Sequence, residues 1–326
     1  MTPESIPQTA NPGSPLTPGA PHLASEMWVS TAAPRISEVQ RLFWSIRREL
    51  WENRSIYLAP LAVAALILLG FTYSTLRIPA DIIISTNVNG TVTRTQHAID
   101  PIQIYALAAT LIMGTTFLVG IFYSLDALYG ERRDRSILFW KSLPISDLTT
   151  VLSKAAIPLI LLPLLTFAIT IALQSLMLLI NLAVFHARGL DTTVLHTQLP
   201  LTQNALMLLI HLVGIHVLWY APLWAWLLFV SAWARRTPLL WAVLPPVALG
   251  VLEVITLHTN YFFKLMAYRI HGPDGLDFTV DNMAMSSPLH FSPAQFLSTP
   301  GLWEGLALAG LFLAAATQLR RYRNPL

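Results

Sequence analysis

Residues 131–154 read ERRDRSILFWKSLPISDLTTVLSK, the one densely charged segment set between long apolar runs. The run before it, about 102–129, and the run after it, about 151–185, are each apolar and long enough to cross a bilayer. The polar stretch is therefore a loop between two spans, and a solvated loop of this kind can touch a soluble partner. Within it, Glu131, Arg132, Arg133, Asp134 and Arg135 form a mixed-sign cluster, followed by Ile137, Leu138, Phe139, Trp140, Lys141, Leu143 and Pro144. The spacing predicts a short amphipathic helix ending near Pro144, which cannot continue a helix and disfavours helical geometry at Leu143. Phe139 and Trp140 then share one side, and Ser146 or Asp147 caps the next helix, which carries Lys154. The stretch alone fits two readings: a docking element for another protein, or a membrane-surface loop with its aromatics at headgroup level.

The rest of the chain decides what kind of protein carries this loop. Of 326 residues, 54% are hydrophobic and only 11% charged, with a mean hydropathy of +0.57. This is too apolar for an ordinary soluble domain and implies an all-α polytopic membrane protein. Cysteine is absent, which excludes a disulfide framework, a thiolate metal site and a cysteine nucleophile. Residues 1–34 hold seven prolines among Ser, Thr and Gly and are expected to form a disordered cytoplasmic tail. Over 35–54, Ile36, Val39, Phe43, Ile46 and Leu50 recur at three- and four-residue steps, with Arg41, Arg47, Arg48 and Asn53 elsewhere around the wheel. This predicts an amphipathic interfacial helix anchored by Trp44 and Trp51, or else a helix packed on a soluble partner.

Residues 55–326 form the transmembrane domain, with six spans at about 56–76, 102–129, 151–185, 204–230, 239–257 and 301–319. Asn89-Gly90 between β-branched runs predicts a small hairpin outside the membrane. Pro158 and Pro163 are expected to kink the third span. The long 258–300 loop, with Phe262, Phe263, Tyr268 and an Asp274-Gly275 turn, fits a lid or an inert cap. Fifteen of the twenty Lys and Arg residues fall in alternate segments. By the positive-inside rule both termini and the 131–154 loop are cytoplasmic, in a multi-pass protein of the cell inner (plasma) membrane.

Catalytic signatures are missing: there is no G-x-x-x-x-G-K-[ST], no H-E-x-x-H, no G-x-S-x-G and no convincing metal-ligand cluster. His211 and His216, five residues apart on the fourth span, are expected on different helix faces as packing or hydrogen-bonding residues. Glu253 in the fifth span is costly unless it faces the bundle interior, water or a partner, and a transport pathway or an inter-helix hydrogen bond would each explain it. Gln174 and Asn181 on the third span raise the same question. Gln174, His211 and Glu253 are thus candidate pathway-lining residues. Asp126 belongs to the charged cluster that follows it.

The 131–154 stretch resembles the cytoplasmic loop of ABC-2-type transporter permeases, the membrane subunits of the type V exporter fold. Glu131, Arg132, Arg133, Leu143, Pro144, Ile145, Ser146 and Lys154 match that pattern, while Arg135-Ser136 replaces the glycine-threonine pair frequent in the family. The layout is similar too, from the interfacial helix and six spans to the large outer segment before the sixth. The resemblance implies that 136–143 is a coupling helix docking in a cleft of a separate ATPase subunit, present in two copies. ATPase coupling would rest on Glu131, Arg132, Arg133, Arg135, Phe139, Trp140, Lys141, Pro144 and Lys154. Phe139 and Trp140 supply the apolar anchor, while Arg132, Arg133, Arg135 and Lys141 meet acidic groups. It further implies a second permease copy, identical or related, and no cofactor or catalysis on this chain, with ATP and Mg²⁺ held by the ATPase. The remaining partners are membrane lipids, not nucleic acid. Few buried charges and many aromatics fit export of a lipid-like, drug-like or amphipathic peptide cargo. The alternative is an ATP-independent carrier or channel with Glu253 as its coupling carboxylate.

Overall fold

A computed structural model describes residues 37–77, 101–142, 145–189, 201–272 and 293–322, and every regular element among them is helical. The expected tail over 1–34, the hairpin at Asn89-Gly90, Leu143 and Pro144, the Asp274-Gly275 turn and Arg323 lie outside the described residues. The chain begins with α1 (Glu38–Glu52), breaks at Asn53, and continues as α2 (Ser55–Arg77). There follow α3 (Pro101–Asp126) and two short helices, α4 (Tyr129–Arg133) and α5 (Ser136–Ser142). Next is α6 (Asp147–Ala187), N-capped by Ser146, whose hydroxyl accepts from the Thr149 amide at 3.0 Å. The chain ends with α7 (Leu201–Trp219), α8 (Ala221–Trp233), α9 (Pro238–Leu257), α10 (Tyr261–His271), α11 (Pro293–Ser298) and α12 (Pro300–Tyr322).

Six helices are long and apolar enough to cross a membrane, matching the six expected runs. Their packing explains which faces are buried. Phe71 of α2, Tyr105 and Ile112 of α3, and Leu173 and Met177 of α6 form one core cluster. Ala221 and Ala225, four residues apart on α8, meet Ala309 of α12, where small side chains let two backbones approach closely. Trp224, fully buried, sits at the centre against Phe117 and His216, and its indole N–H donates to the His216 carbonyl at 3.1 Å. By contrast α9 buries only Ala242 and Gly250. At Gly250 a Cβ would stand 2.6 Å from the Phe263 ring, so a side chain there would push α10 away.

The fourth run is not one regular helix. From Leu212 to Trp219 the turns widen to π geometry, and the helix breaks at Tyr220, whose amide donates to the Ile215 carbonyl five residues back. Pro222 explains the break: it has no N–H to donate, and its ring would clash with the carbonyl four residues earlier. In α6 a second π stretch, Ile157–Leu161, contains Pro158 and ends two residues before Pro163, so the expected kink takes the form of a widened turn.

Candidate functional site

The helices of the bundle bring the charged loop to one end, where α5 stands on the surface. Arg135, with φ of 56°, occupies the left-handed region and separates α4 from α5. Ile137 is the buried foot of α5, while Leu138, Phe139 and Lys141 are exposed. Phe139 and Trp140 meet edge to face at 4.9 Å. They do not share an environment, since the guanidinium of Arg48 from α1 covers the Trp140 ring at 3.8 Å while Phe139 stays 60% exposed. Lys141 Nζ donates to the Arg321 carbonyl at 3.4 Å, so α5 also touches the end of α12.

Behind α5 lies a buried ion cluster. Lys154 of α6, 3% exposed, donates to Glu49 of α1 at 2.9 Å and stands 3.1 Å from Glu131 of α4. Glu131 also pairs with Arg320 of α12, whose Nε donates to Asp147 at 3.1 Å. Glu49 accepts further from Arg48 at 2.8 Å and from the Tyr123 hydroxyl of α3 at 2.9 Å. Burial by itself raises the pKa of the Glu49 carboxyl, but Lys154 and Arg48 outweigh it and hold the group below its ordinary value. Three acids and three bases from four helices, joined by the Tyr123 hydroxyl of a fifth, thus form a mutually compensated set. A buried charge needs such partners, because each ion left alone would cost several kcal/mol in order-of-magnitude terms.

Two further contacts bind α4 to α8. The Ser231 hydroxyl accepts from the Leu128 and Tyr129 amides at 3.0 and 2.9 Å. Arg132, 3% exposed, donates to the carbonyls of Ser231 and Ala234 at 2.7 and 2.6 Å. It thereby satisfies carbonyls that the end of α8 leaves without helical partners.

The expected coupling residues therefore divide. Arg133, Arg135, Phe139 and Lys141 are exposed and Trp140 is half-buried. Glu131, Arg132 and Lys154 are buried and engaged within the chain, so Arg132 does not present its charge to an outside acidic group as expected. Arg133 also pairs locally, with Asp134 at 3.0 Å and with Asp126 at 3.8 Å.

Of the candidate pathway residues, Gln174 and Glu253 are engaged in separate contacts. Gln174 donates to the Tyr105 carbonyl and Asn181 to the Tyr105 hydroxyl, both at 3.3 Å, so they serve as α6–α3 hydrogen bonds. Glu253 accepts from the Thr259 hydroxyl at 2.6 Å and from the Tyr261 and Phe262 amides at 2.7 and 2.8 Å. It caps the start of α10, the arrangement in which a carboxylate satisfies amides that have no helical partner. The expectation that His211 and His216 occupy different faces assumed regular α geometry. His216 lies within the π stretch, whose turns of more than four residues bring i and i+5 closer to one face. His216 packs against Phe117 and Trp224, as a packing residue.

Glu49, Tyr123, Arg320 and the Asp147–Arg320 pair were missed as site residues. A signal existed for two of them. Glu49 falls between Ile46 and Leu50 on the inward stripe of α1, and Arg320 continues the buried stripe of Gly305, Ala309 and Ala316. A charge in register with an apolar stripe points to a buried partner. Comparison with protein-family models, curated proteins and solved structures finds no match to this chain.

Proposed function

We propose that this chain is the membrane-spanning permease subunit of an ATP-binding-cassette exporter of the ABC-2 type, driven by a separate ATPase subunit that docks on α5. The observation that carries the reading is the setting of α5. It is a short surface helix with an exposed Phe139 between Arg135 and Lys141, backed by ion pairs that reach α1, α3, α6 and α12. A docked partner that pushes on α5 pushes on a charge cluster rather than on a flexible loop. Binding energy that differs between two docked geometries can then shift the bundle.

In this reading α5 lies on the cytoplasmic side, the chain works as a dimer of permease copies, and an amphipathic lipid-, drug- or peptide-like cargo is exported. Glu253, the carboxylate on which the carrier alternative depended, is occupied as the cap of α10.

Phe139→Ala and Arg135→Glu test the docking, because neither side chain is tied into the bundle core. Trp140→Ala is less clean, since it also removes the stacking partner of Arg48. Both clean variants are expected to insert and melt like the parent while losing co-purification with the ATPase and ATP-driven transport. Normal co-purification and normal transport in both would sink the proposal.

A further inference from the structure

Around α1 the side chains divide into three arcs. Ser45 and Glu49 are buried against the bundle, with Leu42, Ile46 and Leu50 half-covered beside them. Arg41 and Arg48 lie on a partly covered polar side. The third arc is exposed and largely apolar: Val39 76%, Phe43 59%, Trp44 57% and Trp51 66% exposed. In its middle stands Arg47, with its guanidinium 5.1 Å from the Trp44 ring and 4.7 Å from the Trp51 ring. None of the described carboxylates pairs with it, although Glu49 and Glu52 are on the same helix.

This arc is followed directly along the chain by the exposed apolar residues of α2. Only Asn53 and Arg54 separate the two helices, and the exposed Leu58 and Leu61 of α2 follow directly. An apolar arc here enters the headgroup boundary, where tryptophans are enriched. A guanidinium in the centre of such an arc cannot follow its neighbours into hydrocarbon and must stop at the level of the phosphates. There its fork of donors matches a phosphate, and the two indole faces hold it in place.

We propose that the Trp44–Arg47–Trp51 face of α1 binds the phosphate of an anionic phospholipid, so that α1 is pinned to the membrane surface by a specific headgroup contact. This inference is independent of the exporter reading and rests only on the chain being embedded in a membrane. Because α1 also supplies Glu49 to the ion cluster, the lipid would sit on the outer side of the helix whose inner side holds Lys154.

The chain has no cysteine, so a single one can be introduced without background. In the full chain, Phe43→Cys carrying a fluorophore is placed in phosphatidylcholine vesicles with and without phosphatidylglycerol. Quenching by brominated lipid but not by aqueous iodide is expected. Quenching by iodide alone would overturn the proposal in favour of solvent or a soluble partner. Lipids retained by the detergent-purified chain are then counted by mass spectrometry. The parent is expected to enrich phosphatidylglycerol over phosphatidylcholine, Arg47→Gln to lower that enrichment about fivefold, and Arg47→Lys to keep part of it. Equal enrichment in Arg47→Gln and the parent, with the same melting temperature, would also overturn it.

Discussion

At one end of the bundle Arg320 meets two carboxylates, whereas at the other Arg269 meets two backbone carbonyls and the face of Trp219. Both ends join the last span to earlier helices, yet they do so with different chemistry. Around Arg320 every strong contact is between ionised side chains that are far apart in sequence. Around Arg269 the hydrogen-bond partners among the described residues are neutral: the carbonyls of Trp219 and Gly301 at 3.3 and 2.9 Å, with the Trp219 indole donating back to the Arg269 carbonyl at 2.8 Å. Burial lowers the pKa of Arg269, opposed only in part by Tyr268 and Glu304. The difference teaches that the charged end is a cooperative unit, in which removing one member strands others, while the neutral end can be trimmed piece by piece.

The sharpest way to break this comparison is to truncate the two arginines. Arg320→Ala leaves Glu131 buried beside Lys154 with one partner fewer, and is expected to cost about 3–5 kcal/mol in thermal or denaturant unfolding in detergent. Arg269→Ala removes hydrogen bonds to neutral carbonyls and is expected to cost about 1–3 kcal/mol by the same measurement. Equal losses would erase the distinction. Glu253→Ala uncovers the start of α10 and is expected to cost about 1 kcal/mol. It should leave transport intact, and a transport defect without a stability loss would return Glu253 to the pathway.

Acid sharpens the contrast further. The folded pKa of Glu49 lies below its ordinary value of 4.5, so its ionised form stabilises the fold above that value, and the contribution is lost as pH falls through the lower folded pKa. Lys154, Arg48, Tyr123 and Glu131 are the titratable and charged groups around it. The melting-temperature gap between the parent and Glu49→Gln is therefore expected to be constant near neutrality and to close below about pH 4.5. The gap for Arg269→Ala is expected to change less over that window, because among the described residues no carboxylate hydrogen-bonds to that side chain and Glu304 acts on it only through space.

The six apolar runs were legible because hydropathy and length alone specify them, and five match the structure to within about four residues at their ends, while the fourth, expected over 204–230, ends at Trp219 and resumes as α8. Ser146 was legible as a cap because its spacing to the next apolar run is a local signal. The short helix before Pro144 was legible from its amphipathic spacing, and the described part of it spans Ser136–Ser142. What the sequence hid was direction and pairing. Glu131, Arg132 and Lys154 read as a solvated charge run, since charge runs are solvated unless partners from other helices meet them. Those partners, Glu49, Arg320 and the end of α8, lie about 100 to 190 positions away. Helix periodicity also assumed a uniform turn between His211 and His216, where the π stretch departs from it.

The two π stretches, of α6 and α7, lie against each other. A widened turn is one extra residue held in a helix without an insertion elsewhere, much as a dislocation is an extra half-plane held in a crystal. Such a defect shifts the register of the side chains beyond it by about 100° relative to an unbroken helix. Each widened turn is held by a proline, Pro158 within one and Pro222 just after the other, so the irregularity is a fixed feature of the bundle, between ends that are fastened by charge on one side and by capped backbone on the other.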